Sequence, residues 1–184
     1  MQFASTTSAI GRIKSPSEAQ GSVRSRFLVL AGLAASFDLL TKAIATVLLQ
    51  EGHAVSISDR LSFMLVYNTG GAGGAMVGPY TWGLNVVVTL AAIAMVVRIV
   101  SSLAAVDSRA TLALGMVTGG AFGNLASMVT GPEGVADFFA IRLGDSATIV
   151  MNGADLMLWS GALLLVPVVI NLVRAIRAER LVRS

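Results

Sequence analysis

Two aspartates offer this sequence its most usable chemistry: Asp137, in the run GVADFF, and Asp155, in MNGAD. One follows the third of four long apolar stretches and the other opens the fourth, so both belong near the same membrane boundary. Two carboxyl groups brought together there cannot easily both ionise, because like charge and partial desolvation each raise a carboxyl pKa. One then stays protonated near neutral pH, and identical side chains become an acid and a base. Such a pair can drive a water against a peptide carbonyl: the ionised partner takes the water's proton while the protonated partner hydrogen-bonds the carbonyl oxygen. Spacing alone leaves a second reading open, in which Asp155 caps the fourth helix, where the dipole favours an acid, and Asp137 is a solvated loop residue.

Other polar residues stand where a bilayer disfavours them. Asp38 and Lys42 lie mid-stretch and four apart, so one helical face carries both in the favourable order, acid before base. Charges at that depth cost a few kcal/mol each unless paired or turned inward, which makes them either a packing-fixing ion pair or part of a functional site. Asn68, in YNTGGAGG at 67 to 74, precedes glycines and alanines that permit tight turns and close backbone approach, with Gly70 at their start. Asn124 shares its stretch with Gly115, Gly119, Gly120 and Gly123, whose spacing suits close helix contact, and an asparagine facing a bundle suggests a hydrogen-bonding task. With no cysteine, thiolate nucleophiles, disulfides and cysteine-bound metals are excluded. The single histidine, His53, reads as a solvated loop residue, and neither a metal nor a cofactor is expected.

The elements that must position these residues are membrane helices. Of 184 residues 55% are apolar and only 12% charged, which places the chain outside the soluble globular range. Four runs, at about 27 to 49, 82 to 100, 111 to 130 and 154 to 173, are close to the ~20 residues that cross a hydrocarbon core. They lack the alternation of a membrane barrel, so an all-α membrane protein with a four-transmembrane-helix bundle is expected. Arg12, Lys14, Arg24 and Arg26 precede the first run, Arg98 and Arg109 flank the second connection, and Arg174, Arg177, Arg180 and Arg183 follow the fourth. Ten of the thirteen basic residues thus lie on one side, predicted cytoplasmic together with both termini. These flanks account for the net charge of +3 without any nucleic-acid partner.

The opposite side receives the two longer connections, with Glu51, Asp59, Glu133, Asp137 and Asp145. There Val55, Ile57, Leu61, Phe63, Leu65 and Tyr67 take alternate positions, which predicts a small extracytoplasmic β-sheet with one apolar face resting on the outer leaflet. Residues 136 to 143 could add a strand. Residues 1–26 read as a polar cytoplasmic segment, disordered to about residue 23, 27–173 as the membrane domain and 174–184 as a basic cytoplasmic tail. Arg24, Arg26 and the small residues Ala34, Ala35 and Ser36 imitate a cleavable signal peptide, but the apolar run resumes after Asp38 to give a full span.

Taken in order, Asp38 with Thr41 and Lys42, Asn68 with Gly70 and Ala72, GGAFGN at 119–124, GVADF at 134–138 and NGAD at 152–155 resemble the ordered motifs of lipoprotein signal peptidase, or signal peptidase II. The resemblance covers about 27 to 173. It implies that Asp137 and Asp155 are a catalytic dyad and that Asp38, Lys42, Asn68, Gly70, Asn124 and Asn152 support it. It implies, further, an aspartic endopeptidase of the bacterial inner membrane, acting as a monomer at the extracytoplasmic face. Its substrates would be prolipoproteins, presented from the membrane lipid and cut just before a diacylglyceryl-modified cysteine.

Departures accompany the likeness. Ser127 and Met128 stand where the family has Asp-Arg, Gly73 where it has an aromatic, and Met151 where it has phenylalanine. Losing the arginine removes a rigid multi-donor group, and Arg142 is the nearby arginine that could compensate. Two other readings therefore stay in view: a diverged, non-proteolytic member that binds lipidated peptides, and an ion-coupled carrier built on Asp38 and Lys42.

Overall fold

The computed structural model describes residues 15–131, 134–144 and 147–183. Arg12, Lys14, Glu133 and Asp145 lie outside the described residues. The elements are α1 (Pro16–Leu48), β1 (Ala54–Ser56), β2 (Leu61–Asn68), α2 (Thr81–Val106), α3 (Arg109–Thr130), β3 (Val135–Leu143), β4 (Ala147–Met151) and α4 (Gly153–Arg183). All four helices are long and apolar enough to cross a membrane. The fold is the expected one, mostly helical with a small antiparallel sheet.

Two helices outrun their apolar segments. α1 begins at Pro16, inside the stretch expected to be disordered, because Ser15 and Glu18 form a capping box. The Ser15 hydroxyl accepts from the Glu18 N–H at 3.2 Å, and the Glu18 carboxylate accepts from the Ser15 N–H at 2.8 Å. Two N–H groups that the first turn leaves unpaired are thereby satisfied, and Pro16, with no N–H of its own, fits the first helical position. At the other end of the chain α4 continues through Arg174, Arg177 and Arg180 to Arg183.

α3 is the centre of the bundle, packed along its length on both α1 and α4, while α2 sits more loosely on its flank. Glycine makes that approach possible. Gly115, Gly119 and Gly123 fall on one face against Leu30, against Ala31 and Ala34, and against the Asp38 carboxylate. A methyl group at 119 or 123 would overlap α1 itself. On the α4 side a Cβ at Gly120 would stand 2.7 Å from the Ala154 carbonyl oxygen, and one at Gly161 would stand 2.7 Å from that of Ala113. These small residues let backbones meet where lipid offers no hydrophobic drive to association.

The sheet runs β1-β2-β3-β4, antiparallel throughout. Alternation in β1 and β2 matches the predicted strands, and β3 corresponds to the strand suggested for 136 to 143. β4 was not anticipated, since ATIVM is short and merges into the fourth apolar run. Asp137, Phe139 and Ile141 share one face of β3. On that face Phe139 meets Phe63 of β2 edge-on, with ring centroids 5.9 Å apart. Val55, Ile57 and Ile149 leave an apolar surface exposed on the sheet.

Candidate active site

β4 passes into α4 without a loop, and the residue at that junction organises the site. Asn152, 1% exposed, caps α4: its side-chain oxygen accepts from the Asp155 N–H at 3.1 Å, and Asp155 Oδ2 accepts from the Asn152 N–H at 3.1 Å. This reciprocal arrangement satisfies two helix-terminal donors and fixes the Asp155 rotamer. The Asn152 amide then donates to Asp137 Oδ1 at 2.6 Å and to Asn124 Oδ1 at 3.1 Å. One side chain therefore touches both aspartates. Asp155 belongs to the helix cap, as one of the two sequence readings had it, and it is also near enough to raise the Asp137 pKa. Asp137 is not a solvated loop residue; it is buried in β3, opposite Val66.

A second branch holds this junction against α1. Asp38 is fully buried, and its two oxygens divide their work. Oδ1 accepts from the Ala154 N–H at 2.7 Å, placing an anion at the N-terminus of α4, and Oδ2 accepts from Lys42 Nζ at 2.7 Å. Lys42 Nζ also donates to Asn124 Oδ1 at 2.7 Å. Asn124 thus receives both Lys42 and Asn152, and the polar chain from α1 through α3 to α4 and β3 closes on itself. Gly123 lies against the Asp38 carboxylate, and Gly153 leaves room for Thr41, whose Oγ1 would stand 2.7 Å from a Cβ there. Neither the Ala154 N–H nor the Gly153 contact was anticipated, because the Asp38–Ala154 bond joins residues 116 apart in sequence.

Asn68 ends β2 beside Val135 of β3. Its side-chain oxygen accepts from the Gly70 N–H at 2.9 Å and its amide donates to the Gly71 carbonyl at 3.4 Å, turning the glycine-rich loop back, and the same amide acts to lower the Asp137 pKa. Gly70 is buried in that turn, where a Cβ would stand 2.7 Å from the Gly74 backbone. All eight residues singled out in the sequence consequently lie in or against one polar cluster.

Asp137 titrates at about 6, above the usual 3.8, chiefly because burial penalises its charged form and secondly because Asp155 is close. The Asn152 and Asn68 amides and the Lys42 ammonium oppose this rise without cancelling it. An acid raised in this way stabilises the fold most when protonated: the contribution is complete below about 3.8 and is lost as pH rises through about 6. Asp155→Asn should therefore lower the Asp137 midpoint from about 6 towards 3.8, read from the pH dependence of its carboxyl carbon shift. An unmoved midpoint would show that the two acids do not sense one another.

The family model of signal peptidase (SPase) II matches residues 30–171, a stretch that holds every residue of this cluster. The chain belongs to the signal peptidase II family. Similar lipoprotein signal peptidases come from Mycolicibacterium smegmatis, 35% identical over 169 residues covering 87% of this chain and 67% of that one, and Mycobacterium tuberculosis, 35% over 148 residues covering 76% and 68%. A third, from Bifidobacterium longum, is 33% identical over 151 residues, covering 80% and 81%. Two bacterial membrane enzyme structures, solved in meso at 2.3 and 1.9 Å, share the fold with TM-scores of 0.69 and 0.68 at 22% identity. They cover 79% of this chain and 88% and 92% of their own.

At the C-terminal end of α3 stand the two residues expected to depart from the signal peptidase II pattern, Ser127 and Met128. The Ser127 hydroxyl donates to the Gly123 carbonyl at 3.0 Å, and the Met128 carbonyl accepts from Trp82 Nε1 of α2 at 3.0 Å. Both contacts are structural. Arg142 does not replace the missing guanidinium, since it is exposed, five residues beyond Asp137 and on the opposite face of β3, about 16 Å along the strand.

Proposed function

We propose that this protein removes signal peptides from prolipoproteins, cutting before a diacylglyceryl-modified cysteine with water activated by Asp137 and Asp155. The observation that carries this reading is Asn152, which holds one aspartate by its backbone and the other by its side chain. The raised midpoint of Asp137 supports its role as the protonated member. Asp155, ionised, removes a proton from water as the hydroxyl oxygen bonds to the scissile carbonyl carbon, and Asp137 donates its proton to the carbonyl oxygen. Collapse of the tetrahedral intermediate returns that proton to Asp137 and breaks the carbon–nitrogen bond. The proton held by Asp155 passes to the leaving amine of the modified cysteine.

The family and the four apolar helices place the protein in the inner membrane as a multi-pass enzyme. Basic residues beyond α4 and before α1 support an orientation with both termini in the cytoplasm and the dyad at the extracytoplasmic face.

The test is cleavage by the protein reconstituted in nanodiscs. A diacylglyceryl-modified precursor should yield a product whose first residue is the lipidated cysteine, and the same precursor with that cysteine changed to alanine should stay intact. Binding of the lipidated precursor without any product would favour the non-proteolytic reading, motivated by Ser127 and Met128. Equal cleavage of both precursors would reject the lipid requirement.

A further inference from the structure

At the end of the bundle away from the dyad, α1 and the α2–α3 turn border an open groove of about 650 Å³. Val23, Val29, Leu30, Ala104 and Leu112 give it apolar walls, and Arg26, Ser25, Ser108 and Thr111 add one cation and three hydroxyls. Arg26 precedes Asp38 by twelve residues, about 18 Å of helix rise, so the groove is remote from the polar cluster described above.

Its charge is unbalanced. Among the described residues no acid lines it and Arg26 has no carboxylate partner. The nearest acid on the turn, Asp107, is committed elsewhere: Oδ1 accepts from the Arg109 N–H at 2.9 Å and Oδ2 from the Asn171 amide of α4 at 2.9 Å. The Ser108 hydroxyl makes no capping bond to α3 and remains available to a ligand.

We infer that this groove binds an anionic phospholipid of the leaflet on the basic side, its phosphate held by Arg26 with Ser25 and Ser108 and an acyl chain lying along Val29, Leu30 and Leu112. An apolar wall beside a cation that has no carboxylate partner among the described residues suits a lipid better than a soluble phosphate, which has nothing to place on the wall. A zwitterionic headgroup fits less well, because its ammonium would meet Arg26 and no carboxylate.

Native mass spectrometry of the purified protein, with phosphatidylglycerol and phosphatidylcholine of equal chain length, tests this. Phosphatidylglycerol should be retained about fivefold better, and Arg26→Gln should remove that preference, as expected of one basic contact near a membrane surface. Arg24→Gln removes the same charge from outside the groove and should leave retention as in the unaltered protein. Ala104→Trp fills the groove without touching its charge and should also abolish retention. Equal retention of the two lipids, equal effects of Arg24→Gln and Arg26→Gln, or displacement by glycerol phosphate at matched concentration would each overturn the proposal.

Discussion

Asp137→Asn and Asp155→Asn are each expected to lower single-turnover cleavage of a lipidated precursor by about 10⁴-fold or more, with the fold intact. The asparagine is isosteric, and its carbonyl oxygen can still accept what the aspartate accepted: the Asn152 amide at position 137, or the Asn152 N–H at position 155. Packing and capping therefore survive while the proton shuttle does not. Two accompanying results separate catalysis from structure. The double variant should be no slower than either single one, because a dyad acts as a unit. Asp137→Asn should also be more stable than the unaltered protein at pH 7, on the order of 1–3 kcal/mol, since it removes a carboxyl whose buried charged form is penalised. Thermal unfolding in detergent reads the second effect. Substantial cleavage by either single variant would remove that aspartate from the mechanism.

Breaking the ion pair on α1 should have the largest effect on stability. Lys42→Met keeps the length of the side chain but leaves Asp38, fully buried, without its cation, and takes a donor from Asn124. A stranded buried charge costs about 3–5 kcal/mol, a large fraction of the ~5–15 kcal/mol that holds a typical protein folded. Asp38→Asn placed in the Lys42→Met background should recover much of that loss, because the amide oxygen can still accept from the Ala154 N–H while no charge remains. A double-mutant cycle measures the coupling. If Lys42→Met costs the same in the unaltered protein as in the Asp38→Asn background, the pair is not coupled and the network owes its position to packing alone. Loss of stability also predicts loss of cleavage here, since Asp38 anchors the start of the helix that carries Asp155.

Much of the architecture is a local property of the chain and was therefore legible. Four runs long enough for a bilayer have no alternative to helix once their backbone groups must pair internally, and residues alternating in character between 55 and 67 read as strands for an equally local reason. The face shared by Asp38 and Lys42 follows from helical spacing. Helix ends were less visible: hydropathy marks where lipid stops, whereas the beginning of α1 is set by the bond between Ser15 and Glu18, and β4 disappears into the apolar run beside it. The polar cluster itself depended on tertiary structure. Composition could place Asp137 and Asp155 at the same boundary, but it could not show one asparagine holding both, or Asp38 closing on a backbone N–H 116 residues away. Such contacts exist only at the separation at which α3 lets its neighbours approach, and that separation is set by which glycines face which helix. Hydrogen bonds form or fail over tenths of an ångström, and only the packed bundle fixes distances that finely.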